Sequence, residues 1–245
     1  MTNAYLLESL AWCLPMALLI YAVLKWASGQ EKLKQEVNPK TGEIGPPHLC
    51  RGGWNEGEIR GCYLGYATTG IPVEPVNTYS NLAYLAAGWV VYRLAASWTA
   101  LVFCVAMAFL CFGSALYHGM KTRWSARWDH GGMYAVMAGL AFYVLAAGHA
   151  YEPEIVLAGS LLSGILLAWF LDGYLLARMA LLLALITVGV MTRGDAALGW
   201  TSLAYFAGAL AVWLVDKYTG ILGRFGHGLW HVLTAVALAY IFLAV

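Results

Sequence analysis

The sequence predicts an all-α integral membrane protein, a seven-transmembrane helix bundle preceded by one extra N-terminal transmembrane helix. Three observations carry this expectation. Of the 245 residues, 61% are hydrophobic and only 11% are charged, whereas soluble domains carry roughly 25% charged residues. Mean hydropathy is +0.68. The apolar residues also gather into runs of the length a helix needs to cross a bilayer, about 20 residues.

Eight such runs follow one another, at residues 5–26, 77–95, 98–118, 129–149, 154–171, 174–192, 197–215 and 226–245. The first holds Glu8, has no basic residue ahead of its apolar core and no small-x-small cleavage site after it. It therefore reads as a retained span rather than a signal peptide. The connection Ser28 to Glu74 is polar and Gly-rich, with Lys32, Lys34, Lys40, Arg51 and Arg60. The chain thus divides into an N-terminal transmembrane helix (1–28), a polar connecting loop (29–73) and a seven-helix membrane domain (74–245). The net charge of +1 gives no reason to expect a nucleic-acid partner.

Sidedness follows from the parity of the spans. The face with the long loop also receives Lys121, Arg123, Arg127, Lys217 and Arg224, whereas the opposite face has only Arg93 and Arg193. Basic residues favour the cytoplasm, which places the loop face there. Cys50 and Cys62 both lie in the long loop, and a disulfide between them would imply an oxidising compartment and the reverse topology. Cys13, Cys104 and Cys111 fall in apolar segments and read as packing residues.

The same parity gathers four polar clusters at the loop face. They are Glu74, Asn77, Ser80 and Asn81 (EPVNTYSN), Ser114 and His118 (SALYH), Asp129 and His130 (DH), and His227 and His231 (HGLWH). Ionisable groups at membrane depth are costly and are rarely idle. Residues four apart share a helix face, so His227 and His231 can grip one ion, and His118 completes a three-imidazole set. Zinc suits that set and leaves a fourth position for water, whose pKa can then fall to about 7. Asp129 can orient that water and take its proton, and Ser114, one turn from His118, can donate to an oxyanion. Hydrolysis of an amide or ester within the membrane boundary is the chemistry these parts suit.

Plainer roles compete. Membrane histidines often only hydrogen-bond between helices, Asp129 can cap the fourth span, and Ser114 can be a small packing residue. His130 is an alternative ligand to His118. His149 lies at the far end of its span, ~30 Å from the cluster at 1.5 Å per residue. His48 reads as solvated in the loop, Asp172 as an interfacial turn residue, and Arg178 as snorkelling to the loop face.

The ordered set Glu74-x2-Asn77-Thr78-x-Ser80-Asn81, Ser114-x3-His118, Asp129 and His227-x3-His231 resembles the alkaline ceramidase family. These are seven-helix intramembrane zinc amidases in a wider superfamily with adiponectin/progestin-type receptors and haemolysin III-like proteins. The resemblance covers roughly residues 60–245. It implies zinc on His118, His227 and His231, catalysis by Asp129 with oxyanion support from Ser114, and cleavage of ceramide into a long-chain base and a fatty acid. The partners implied are the bilayer and a ceramide-like lipid. Two departures stand out. The family's acidic calcium-binding segment ahead of Glu74 is matched without gaps by Arg60, Gly61, Cys62, Tyr63 and Gly65. Calcium needs several oxygen ligands, so little or no calcium dependence is expected. The extra first helix has no counterpart in the family core; anchoring, oligomerisation and covering of the site mouth are its open roles. The rival expectations are a receptor-like protein with a structural zinc and a transporter relaying protons through its histidines.

Overall fold

The computed structural model describes residues 2–28, 36–37, 44–45, 72, 74–120, 123–146, 152, 155, 158–159, 161–164, 166, 175–222 and 225–245. Residues 155, 158–159, 161–164 and 166 are helical, and the α-helices described from end to end are α1 (Thr2–Ser28), α2 (Pro75–Ser80), α3 (Leu82–Ala95), α4 (Trp98–Met120), α5 (Arg123–Ala146), α6 (Leu175–Arg193), α7 (Ala196–Thr219) and α8 (Gly226–Leu243). Within the long loop, Glu36–Val37 pairs antiparallel with Ile44–Gly45, a short ribbon that the loop's polar, Gly-rich composition did not announce.

The all-helical expectation holds. Among the described residues, four helices have a stretch long and apolar enough to cross a membrane, Leu7–Ala27, Trp98–Met120, Ala196–Asp216 and Gly226–Leu243, and Leu181–Thr192 forms a shorter apolar helix. The remaining expected spans fall short of that measure for identifiable reasons. The second is split at Asn81 into α2 and α3, α5 has Arg127, Asp129 and His130 in its first two turns, and most of 154–171 lies outside the described residues. Large apolar side chains face outward along several helices, including Leu14, Trp26, Val105, Phe142, Val188 and Leu214. A soluble monomer seldom exposes that much contiguous apolar surface, whereas lipid tails accept it.

Consecutive helices pack in order, α3 on α4, α4 on α5, α5 on α6, α6 on α7 and α7 on α8, and α8 returns to α2 and α3, so the described helices close a ring. Helix α1 lies against α3 and α4. The interior is apolar and dense. Phe242 of α8 stacks between Phe103 of α4, with centroids 4.7 Å apart, and Tyr143 of α5, at 5.3 Å. Asp195 caps α7 by accepting from the Ala197 and Leu198 backbone N–H groups at 2.8 and 3.2 Å, satisfying two donors that a helix start leaves open.

One expected boundary moves with consequence. Helix α5 begins at Arg123, six residues before the apolar run. Asp129 is therefore nearly two turns inside the helix and is not its cap. Polar residues at the loop face extend the helix beyond the apolar stretch, since they can be solvated at the headgroup level.

Candidate metal centre

The site lies where α2, α4 and α8 meet at the loop-face end of the bundle. Short polar α2 starts with Pro75 in its first turn, a position where proline's missing N–H costs nothing. The Glu74 backbone N–H donates to the His118 carbonyl at 3.1 Å, tying the entry to α2 to the last turn of α4. Gly228 of α8 lets that helix come close, because a Cβ there would stand 3.1 Å from Val76 and 3.4 Å from the Ser80 hydroxyl.

His118, His227 and His231 converge, each offering a ligand atom, with all three atoms within 4.8 Å of one another. The ring centroids are 4.7 Å apart for His118 and His227, 5.0 Å for His118 and His231, and 4.7 Å for His227 and His231. His118 and His231 are buried and His227 is half-buried. His130, the alternative ligand, is outside the cluster.

The surrounding hydrogen bonds fix how two of the rings present themselves. The His118 Nδ1 lies 2.5 Å from Glu74 Oε2, a buried carboxylate that also accepts from Asn77 Nδ2 at 3.0 Å. An ionised carboxylate only accepts, so beside ionised Glu74 the Nδ1 of His118 carries the proton, and in the neutral ring Nε2 then carries the lone pair. Ser80 settles His231 in the same manner. Its one proton goes to the Asn77 carbonyl at 3.0 Å, so its oxygen accepts from His231 Nδ1–H at 2.8 Å. The Nε2 of His231 then carries the lone pair of that ring, the atom a cation would bind. Metal-binding histidines are characteristically held this way, their second ring nitrogen bonded to a carboxylate or other acceptor.

The spacing of the rings suits a metal centre as well as a ring-to-ring hydrogen bond. The Nε2 atoms of His118 and His227 are 3.2 Å apart. Two nitrogens bound tetrahedrally at ~2.0–2.1 Å would be separated by roughly 3.3 Å. A proton shared between those two rings involves only two imidazoles, whereas one cation could engage all three. Glu74 favours the cation as well. It is 4% exposed, and burying a carboxylate costs several kcal/mol unless positive charge compensates it. The residues present therefore fit a metal ion. Replacing Glu74 by glutamine is expected to weaken metal binding by about 10–100-fold, read as a shift in competition with a chromophoric chelator.

Ser114 and Asp129 are both buried, on α4 and α5. Ser114 is buried one turn before His118 on α4, and Asp129 is 8% exposed on α5. A Cβ on Gly113 would press into the Trp128 carbonyl and sit 3.2 Å from the Asp129 backbone nitrogen, so glycine is what allows α5 to approach here. The seam brings the Asp129 backbone close to Gly113, and Asp129 is not a member of the three-histidine cluster. Asn81 stands one layer back, donating to the Asn77 carbonyl at 2.7 Å where α2 gives way to α3. Behind His231, Tyr84 OH and Thr234 Oγ1 are 2.7 Å apart, and the Tyr84 ring is 5.9 Å from that of His231. This pair was legible in principle: Tyr84 follows Ser80 by four residues and Thr234 follows His231 by three, one turn deeper on the same faces.

Cys50, Cys62, His48, His149, Asp172 and the segment Arg60–Gly65 lie outside the described residues, as do the side chains of Lys217 and Arg178. All three thiols in apolar segments are within the described helices, Cys104 and Cys111 buried and Cys13 half-buried, as packing residues would be.

Fold and site together define an all-helical, membrane-type bundle with a three-histidine centre able to hold a metal ion. No family model, curated protein or solved structure matches this chain.

Proposed function

We propose that this protein is a multi-pass membrane hydrolase whose zinc centre cleaves the amide of ceramide or a related N-acyl lipid, releasing a long-chain base and a fatty acid. The observation that carries the reading is the convergence of His118, His227 and His231, with the Nδ1 atoms of His118 and His231 held by Glu74 and Ser80. In this reading the bundle is the seven-helix arrangement with α1 added, and the loop face is cytoplasmic. The ordered motif from Glu74 to His231, which resembles that of alkaline ceramidases, supplies the substrate class.

Zinc bound at the centre supplies Lewis acidity toward water and a carbonyl oxygen. The remaining work belongs to the chain. Glu74 and Ser80 hold two imidazoles in the tautomer that binds a cation. The carboxylate of Asp129 receives the proton of the attacking water and passes one to the leaving amine. The Ser114 hydroxyl donates to the oxygen that gains negative charge. The substrate enters sideways from the lipid, its amide at headgroup depth and its chains among the apolar helices. The low dielectric there strengthens each of these polar contacts.

The test is direct. Purified protein incubated with a panel of N-acyl lipids should release fatty acid, detected by mass spectrometry, and a zinc chelator should stop it. Release that is indifferent to chelation, or no release from any lipid of the panel while zinc is bound, contradicts the proposal.

A further inference from the structure

Helix α1 faces outward along most of its surface, but a few of its side chains are built into the bundle. Ile20 and Leu24, one turn apart, are both 0% exposed. Leu24 sits on Gly119 of α4, where a Cβ would fall 2.5 and 2.7 Å from its two methyl carbons and 3.2 Å from its Cγ. Gly119 is the residue after His118. The last turn of α4 is thus held from two sides, by Leu24 through Gly119 and by Glu74 through both the His118 backbone carbonyl and its imidazole.

Other contacts fix α1 against the second histidine support. The Cys13 thiol donates to the Leu82 carbonyl at 3.7 Å, two residues beyond Ser80, the partner of His231. Trp12 packs on Trp89 with centroids 5.3 Å apart. Towards the opposite end, Arg93 pairs with Glu8 at 3.2 Å and covers the Tyr5 ring. The register of α1 on α3 and α4 is therefore determined along most of its length.

We propose that α1 is a positioning element of the metal centre, with Leu24 seated on Gly119 to fix the turn of α4 that carries His118. The inference rests on the metal-centre reading above and adds a role for a helix that lies outside the ligand set. A misplacement of about 1 Å near a catalytic constellation already costs much of its function, and supporting residues of metal sites are worth about 10–100-fold in affinity. Glycine at 119 and leucine at 24 are a matched pair: each leaves room for the other.

A double-substitution cycle with cobalt(II) as the probe tests this in the full-length protein. The wild type should take up one cobalt per chain, with a visible absorption spectrum reporting the ligand geometry. Leu24→Ala and Gly119→Ala should each weaken cobalt binding by about tenfold and alter the spectrum. The double variant should recover part of the loss, because the added methyl occupies space that the truncated side chain vacates. Phe103→Ala, at a fully buried position against Phe242, is the control for general destabilisation. It should lower the thermal midpoint and leave the cobalt spectrum unchanged. If Leu24→Ala binds cobalt with wild-type affinity and spectrum, or if the Phe103→Ala spectrum shifts equally, the inference is overturned. A wild type that takes up no cobalt overturns the metal-centre reading itself and this inference with it.

Discussion

Replacing His231 by alanine is expected to remove bound zinc and reduce amide cleavage to background. Two imidazoles, His118 and His227, would remain, and a pair leaves a divalent ion short of the three protein ligands that a catalytic zinc site supplies. The change also strips Ser80 of its 2.8 Å partner and opens a void at a position 3% exposed. Stability should fall too, since an ion bound only by the folded state stabilises it in proportion to its affinity and concentration. Metal analysis per chain, beside fatty-acid release, reads both effects. His231→Ala protein that still hydrolyses ceramide at the wild-type rate would sink the mechanism.

The second large effect is expected at Asp129. Its conversion to asparagine preserves shape and burial but removes the group assigned to accept and return a proton. General acid–base catalysis typically contributes about 10²–10⁴-fold, so turnover should fall by that order while zinc content stays at the wild-type value. This pairing of results separates a hydrolase from a receptor-like protein with a structural metal, in which Asp129→Asn would keep both metal and function. The close seam at Gly113 gives the prediction its physical basis, since it sets the Asp129 backbone beside the helix that carries Ser114 and His118.

Much of the site was legible because helical spacing is short-range. His227 and His231 share a face by the 3.6-residue period alone, and parity brought His118 to the same end of the bundle. The roles of Glu74 and Ser80 were not legible, for a reason of scale. Residue 74 meets 118, and residue 80 meets 231, and no local pattern encodes such pairings. The sequence placed Glu74 among the supporting residues without saying what it supports; the structure puts it on His118. The start of α5 at Arg123 was missed because an apolar run marks where lipid begins, not where helix begins.

The packing of α1 was hidden for a further reason. In a membrane protein a lipid-facing leucine and a core leucine look alike in sequence, because tails and interior are equally apolar. Leu18 is exposed while Leu24 is fully buried, yet nothing in the run MALLIYAVLKW distinguishes them. The small residue at Gly119 was the available signal, since close helix approach in membranes favours glycine, but it gave no hint of which helix approaches.

The most direct test of the central claim is X-ray absorption at the zinc edge on the purified full-length protein. One zinc per chain, with three imidazole nitrogens at ~2.0–2.1 Å and loss of that pattern in His118→Ala, is the expected result. Zinc held by sulfur, or a chain that stays metal-free in zinc-containing buffer, would contradict it.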